Sequence, residues 1–326
     1  MLDSFGRTIN YMRVSVTDRC NLRCRYCMPD GIELISMNEI LTYEEIIEVC
    51  AAGASLGISR LRITGGEPLV RKGCPDLIRA LKALPGIERV TMTTNGVLLG
   101  EYLPELLAAG LDSVNVSLDT LSRGRYAAIT GRDLYENVAE SLRAVLASGL
   151  PLRINAVLQK GVNDDEWLSL ARLAEHRALD VRFIELMPIG YARDIKGVSN
   201  SDLIKELTDM YPDLRDDTVL RGSGPAAYYR IPGWKGSLGF ISAIHDRFCG
   251  RCNRMRLTST GALKPCLCFG ETEQLMPVLR SGAPAQERSA MLRDCIGRAI
   301  TAKPRQHCFE NPENVTEDAP MVSIGG

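Results

Sequence analysis

The stretch Arg13-Val-Ser-Val-Thr-Asp-Arg-Cys20-Asn-Leu-Arg-Cys24-Arg-Tyr-Cys27 sets three thiols at the spacing C-x3-C-x2-C, directly behind a strand-like run. Thiolates bind soft metals and iron–sulfur clusters. A [4Fe–4S] cube has more irons than this stretch has sulfurs, so one iron is left open. An open coordination position is where a metal does chemistry, as catalytic zinc sites show against closed structural ones. The plainer alternative is a structural zinc knot with its remaining ligand elsewhere. Zinc knots more often begin C-x2-C or C-x4-C, and the x3 arm argues against zinc.

Outward from this stretch, short apolar runs alternate with helical periodicity. The pattern predicts strands over 12–17, 61–64, 89–94, 113–118, 152–158 and 181–186. It predicts helices over 42–56, 75–84, 103–109, 137–147, 165–175 and 201–210. Thr42 with Glu45 three residues on is a capping-box pattern. Strands alternating with helices predict a parallel sheet with helical crossovers. Eight such units close a TIM barrel; six predict an α/β fold of the incomplete (β/α)6 TIM type. Active sites of such barrels lie at the C-terminal ends of the strands. The polar signatures fall at those ends: 20–27, Gly-Gly-Glu-Pro at 65–68, 93–95, 117–119, 159–160 and 185–188.

The composition shifts after about residue 212, and 221–225 reads as a linker or turn. Short strands over 228–231 and 239–244, a hairpin over 256–263 around Thr260-Gly261, and a helix near 286–301 predict an α+β extension. The expected division is a barrel over 1–220 and an extension over 221–326. From Lys303 onward Pro, Asn, Glu and Asp dominate, so the tail is expected to be loosely ordered until its last residues.

The extension carries a second triad. Cys249-Gly-Arg-Cys252 with Cys266 gives C-x2-C-x13-C, again three sulfurs. Alone it is as compatible with a zinc ribbon completed by Cys268 or His245; beside the first triad a second cube is favoured. Arg254 and Arg256 alternate, so on a strand they point the same way. Alternating arginines are usually a solvated face. Two residues after a thiolate triad they fit an anion better, because guanidinium groups bind phosphate bidentately. Arg62 within an apolar strand is costly unless it meets an anion.

Lys and Arg total 39 against 40 Asp and Glu, so no global field draws the chain to nucleic acid or membrane. No apolar run approaches the roughly 18 residues of a membrane span, and no signal peptide opens the chain. Eleven cysteines without an export signal point to a reducing, cytoplasmic setting where thiols bind metal. Cys50, Cys74, Cys268, Cys295 and Cys308 show no ligand spacing and read as buried or incidental.

With Tyr26 before its last cysteine, the first triad resembles the signature of the radical S-adenosylmethionine (SAM) enzymes. In that family three cysteines hold the cube and SAM chelates the open iron through its amino and carboxylate groups. The reduced cluster cleaves SAM to methionine and a 5′-deoxyadenosyl radical. The wider context, Ser-Val-Thr-Asp-Arg-Cys-Asn-Leu-Arg-Cys-Arg-Tyr-Cys-Met-Pro, is similar within that superfamily to the GTP 3′,8-cyclases of molybdenum cofactor synthesis. The second triad's spacing and the terminal Gly325-Gly326 match the same family. The likeness is strongest in 13–29, 61–68, 113–119, 155–163 and 249–266, and 268–322 carries no readable signal.

The resemblance implies two [4Fe–4S] clusters, one on Cys20, Cys24 and Cys27, the other on Cys249, Cys252 and Cys266. The open iron of the second would take the guanine of GTP. Tyr26, Gly66, Ser117 and Met187 fall on SAM-contacting positions. Arg13, Arg62, Thr93, Lys160, Arg254, Met255 and Arg256 fall on GTP-binding positions. Arg13, Arg254, Arg256 and the terminal Gly325 and Gly326 take part in catalysis, the tail reaching into the barrel. The implied reaction turns GTP into (8S)-3′,8-cyclo-7,8-dihydroguanosine 5′-triphosphate. Its implied partners are an external electron donor and a downstream cyclic pyranopterin monophosphate synthase. A homodimer is compatible with this reading.

Overall fold

The computed structural model describes residues 1–29, 35–219, 221–222, 224–245, 248–270 and 273–325. Six strands alternate with helices as the periodicity predicts: β1 (Tyr11–Ser15), β2 (Arg60–Thr64), β3 (Arg89–Thr94), β4 (Ser113–Ser117), β5 (Leu152–Val157) and β6 (Leu179–Ile184). The later strands are β7 (Arg215–Asp216), β8 (Ala227–Arg230), β9 (Leu238–Ile241), β10 (Arg254–Leu257), β11 (Ala262–Lys264) and β12 (Glu273–Gln274). The helices are α1 (Tyr43–Ser55), α2 (Cys74–Lys82), α3 (Leu99–Ala108), α4 (Arg123–Thr130), α5 (Tyr135–Ser148), α6 (Trp167–Ala171), α7 (Leu173–His176), α8 (Asn200–Met210), α9 (Met276–Leu279) and α10 (Ala285–Thr301).

The twelve strands among the described residues share one sheet, ordered β12-β11-β10-β1-β2-β3-β4-β5-β6-β9-β8-β7. The extension builds both edges of the barrel. β10 runs parallel to β1, and β9 runs parallel to β6. The parallel array therefore has eight strands where the sequence pattern supplies six. Antiparallel β11 and β12 flank one edge, and β8 and β7 the other. No ladder among the described residues joins β9 to β10, so the barrel stays open there. The boundary expected at residue 220 falls inside the β7–β8 hairpin.

Alternation along the strands fixes what faces inward. In β2, Leu61 and Ile63 are buried under the helices, while Arg62 points to the other face. In β10, Met255 and Leu257 are buried likewise, and Arg254 and Arg256 point inward. Register pairs Arg13 with Arg62 on one side and with Arg256 on the other. Three guanidinium groups thus stand side by side on neighbouring strands, an arrangement that repels unless an anion meets it.

The predicted capping box is present: Thr42 Oγ1 accepts from the Glu45 amide at 3.2 Å, and Glu45 Oε2 accepts from the Thr42 amide at 2.7 Å. Glu45 also receives Arg280, and Glu48 receives Arg288, which docks the α9–α10 segment on α1. Two expectations change. The helix read over 165–175 is split into a 3-10 turn, α6 and α7. There the turn before β9 packs against the segment, the Lys235 and Gly236 amides donating to the Glu175 and Ala174 carbonyls.

The tail, expected to be loosely ordered, is packed. Lys303, His307, Phe309, Val315, Glu317, Val322 and Ile324 are buried, and Lys264 pairs with Glu317 out of water. A second apolar cluster built on Ile189, Leu267, Cys268, Phe309, Val315 and Ile324 holds it. The tail's polar composition hides a few apolar anchors at irregular spacing.

Candidate active site

A cavity of about 330 Å³ opens at the C-terminal ends of the strands, and both cysteine triads line it. The loop of the first triad is laid down by Gly65-Gly66-Glu67. The Gly66 amide donates to Thr17 O at 2.7 Å, and the Glu67 amide donates to Arg19 O at 2.8 Å. A Cβ on Gly66 would lie 2.3 Å from Arg19 O, and one on Gly65 would lie 2.7 Å from Thr17 O. The glycines are therefore required by the triad's own backbone, besides lining the cavity.

Glu67 is buried and accepts from the Leu69 amide (3.1 Å), Thr94 Oγ1 (2.8 Å) and the Asn95 amide (2.7 Å). Burial pushes its carboxyl up to about 7 against those hydrogen bonds. Asn95 Nδ2 donates to Asn21 Oδ1 at 2.7 Å and reaches Cys20 Sγ at 3.7 Å, tying β3 to the triad. On the other side Tyr26 donates to Asp119 Oδ2 at 2.7 Å, and Asp119 Oδ1 accepts from the Val157 amide at 2.9 Å. Burial raises Asp119 to about 6.

Burial also raises the thiols. Cys27 stands at about 12, with Cys20 and Asp119 adding to the effect, and Cys24 lies well above its usual value. A buried thiol resists ionisation unless a cation takes the place of its proton. Three free thiols on one loop, facing one cavity, fit an iron–sulfur centre by their donor chemistry.

The second triad sits in opposite surroundings. Lys303 Nζ donates to Arg254 O at 2.9 Å and also to Pro265 O, spanning the two segments that carry Cys252 and Cys266. Arg7 Nη1 donates to Cys249 O and to Arg305 O, each at 2.9 Å, fastening the third ligand's segment to the tail. Burial raises the Cys252 thiol, but Arg254 and Lys303 outweigh it and bring it down to about 7.

The basic row lines the same cavity as the two triads. Burial holds Arg13 well below the usual guanidinium value, and Arg256 beside it adds to the effect; burial, with Arg254, brings Arg256 to about 10. Gly325 O accepts from Arg13 Nη2 at 3.0 Å and from Arg256 Nη1 at 3.4 Å. Gly325 is left-handed (φ +81°), and a Cβ there would press within 3.1 Å of Thr64 Oγ1. The tail's end is thus inside the barrel. Gly326 lies outside the described residues.

Of the other expected contacts, Tyr26, Gly66, Ser117, Met187, Arg62, Thr93 and Arg254 all line the cavity. Lys160 is not brought there: β5 ends at Val157, and Lys160 is exposed in the following turn. Met255 lies on the opposite face of β10 from its two arginines, with its side chain in the core. Sequence reasoning missed Arg182, buried on β6 with its Nε donating to Asn155 Oδ1 at 2.9 Å. Burial lowers it to about 10. Its signal was the one used for Arg62, a cation in an apolar strand. Lys303 was hidden in the tail.

Comparison with known proteins agrees with this geometry. Residues 14–174 match the radical SAM superfamily, and residues 179–309 match the family described as Molybdenum Cofactor Synthesis C. A GTP 3′,8-cyclase of Moorella thermoacetica is 46% identical over 330 residues, covering both chains fully. This chain belongs to the GTP 3′,8-cyclase family. A second member, from Heliobacterium modesticaldum, is also 46% identical, and one from Clostridium perfringens is 42% identical, each over the full length of both chains. The chain is accordingly an enzyme of the radical SAM type, with SAM and iron–sulfur chemistry as its cofactors. Among solved structures, Streptococcus suis SuiB bound to S-adenosylmethionine matches with a TM-score of 0.61 at 17% identity, covering 97% of this chain and 77% of SuiB. At that identity the likeness is one of fold.

Proposed function

We propose that this chain converts GTP to (8S)-3′,8-cyclo-7,8-dihydroguanosine 5′-triphosphate, the first step of molybdenum cofactor biosynthesis. The observation that carries the reading is the in-register row Arg62–Arg13–Arg256, which shares one cavity with both cysteine triads. A row of half-buried like charges is favoured by an anion against it, and a nucleotide triphosphate supplies one.

Cys20, Cys24 and Cys27 would hold one cluster, and Cys249, Cys252 and Cys266 the other. When bound and reduced, the first supplies the electron for reductive SAM cleavage and hydrogen-atom abstraction from the ribose. The chain's own residues position and exclude. Tyr26, Gly66, Ser117 and Met187 form the SAM side of the cavity. Arg13, Arg62, Thr93, Arg254 and Arg256 form the GTP side, with Arg182 as a further cation. Gly325 fixes the orientation of Arg13 and Arg256 through its carbonyl, so these donors are preorganised before substrate arrives. The packed tail closes the cavity against water and stray hydrogen donors. In this reading residues 1–220 carry SAM and the GTP contacts Arg13, Arg62, Thr93 and Arg182, and 221–326 add the second triad with Arg254 and Arg256. The electron comes from an external donor, the product passes to a downstream synthase, and the setting is cytoplasmic.

The test is anaerobic reconstitution with iron and sulfide, followed by SAM and a strong reductant. We expect 5′-deoxyadenosine to form in a burst with GTP and only slowly with ATP or no nucleotide. Equal formation in all three tubes would leave the radical SAM core and remove GTP as the substrate.

A further inference from the structure

Two thiols that belong to neither triad lie against each other at the rim of the second. Cys268 stands two residues beyond Cys266, Cys308 lies in the tail, and their Sγ atoms are 2.9 Å apart. The Cys308 amide donates to Cys268 Sγ at 3.3 Å, and Cys308 Sγ donates to Asn314 O at 3.0 Å. Both are free thiols, with Cys268 buried and Cys308 half-buried. A thiol that solvent reaches, backed by a hidden partner at contact distance, has the geometry of an attacking and a resolving cysteine. The other three thiols outside the triads are differently placed. Cys50 and Cys74 are buried in the main core, and Cys295 takes its hydrogen bond from Arg298.

We propose that Cys268 and Cys308 are a dithiol–disulfide couple that covalently fastens the tail to the loop of the second triad. The oxidant is a low-molecular-weight disulfide of the glutathione type. Cys308 attacks one of its sulfurs and releases the first small thiol, leaving a mixed disulfide. Cys268 then attacks Cys308 Sγ and releases the second. One sulfur–sulfur bond breaks and one forms, two protein thiols are oxidised, and their protons leave on the two small thiols. The new bond joins positions 40 residues apart. It ties the segment holding Pro265 and Cys266 to the segment holding Lys303 and His307, and all four line the cavity. The couple is independent of which substrate the cavity takes.

The test uses the full-length, iron-loaded protein, equilibrated without oxygen in mixtures of reduced and oxidised glutathione. It is then unfolded in acid with excess N-ethylmaleimide and a chelator, digested and mapped by mass. We expect the Cys268 and Cys308 peptides to appear joined, while Cys50, Cys74 and Cys295 stay alkylated. Hydrogen exchange of the amides from 305 to 311 should slow by about tenfold in the oxidised form, because the cross-link removes open states. In Cys268→Ser, oxidation should stop at a glutathione adduct on Cys308; in Cys308→Ser, Cys268 should stay alkylated. Two results would overturn the couple: wild-type protein holding a lasting adduct on Cys308 with Cys268 alkylated, or both thiols alkylated across the whole range. Unchanged exchange in linked protein would remove the fastening role. Should Cys268→Ser not fold, wild type and Cys308→Ser decide the matter alone.

Discussion

The two triads have the same number of sulfurs and face the same cavity, yet their surroundings carry opposite sign. Around Cys20, Cys24 and Cys27 stand Glu67 and Asp119, both buried, and burial holds the thiols up. Around Cys252 and Cys266 stand Arg254 and Lys303, which bring Cys252 down to about 7, although burial still keeps Cys266 raised. The difference teaches what each half is built to meet. SAM is a sulfonium cation, and the buried Asp119 on the cavity wall suits it; a nucleotide triphosphate is an anion, and arginines suit it. The cavity is polarised, with Asp119 on the wall beside the first triad and basic side chains beside the second.

The hardest break in this comparison is Cys24→Ser. It should reduce SAM cleavage to background while the second triad keeps its iron, seen as half the iron content with that cluster's spectrum intact. Retained cleavage would detach the radical chemistry from the first triad.

Next is the acidic surround. Glu67 has its carboxyl raised from 4.5 to about 7, so the folded chain holds a proton that the unfolded chain releases in that window. Stability of the metal-free protein should therefore fall as pH rises from about 4.5 to about 7 and level off above. The shift corresponds to about 3 kcal/mol for this group. Glu67→Gln should flatten the pH profile of urea unfolding by that amount; an unaltered profile would mean that Glu67 is not the group being titrated.

On the basic side, Arg256→Ala removes a charge-assisted contact worth about 1.5–3 kcal/mol. GTP should bind roughly 10- to 100-fold more weakly, with SAM affinity unchanged, by titration calorimetry on reconstituted protein. An equal loss for both ligands would dissolve the polarity of the cavity.

How far the sequence carried this picture depends on how local each signal is. The βα units were legible because each strand announces itself within a few residues, as Leu61 and Ile63 do on either side of Arg62. The two outer parallel strands were not. β9 and β10 acquire their parallel partners from β6 and β1, and nothing in 238–241 or 254–257 names those partners. The cysteines were legible by spacing, and Arg13, Arg62 and Arg256 by family position. Their alignment in one row is a property of register, which only pairing sets. The tail failed for a compositional reason: Phe309, Val315, Val322 and Ile324 are few among polar residues, yet each is buried.

The mildest test concerns the two cations that sequence and structure rank oppositely. Lys160 falls on a family position but is exposed beyond the end of β5, while Arg182 was passed over and lies buried on the cavity wall. Exposed charges well away from a ligand are screened by solvent and salt. Lys160→Ala should therefore leave GTP affinity within about twofold of wild type. Arg182→Met keeps the buried volume and removes the charge, so it should weaken GTP binding while SAM affinity holds. A large loss at Lys160 with none at Arg182 would mean that the strand ends rearrange when the nucleotide enters, and the cavity's basic wall would then have to be redrawn around β5.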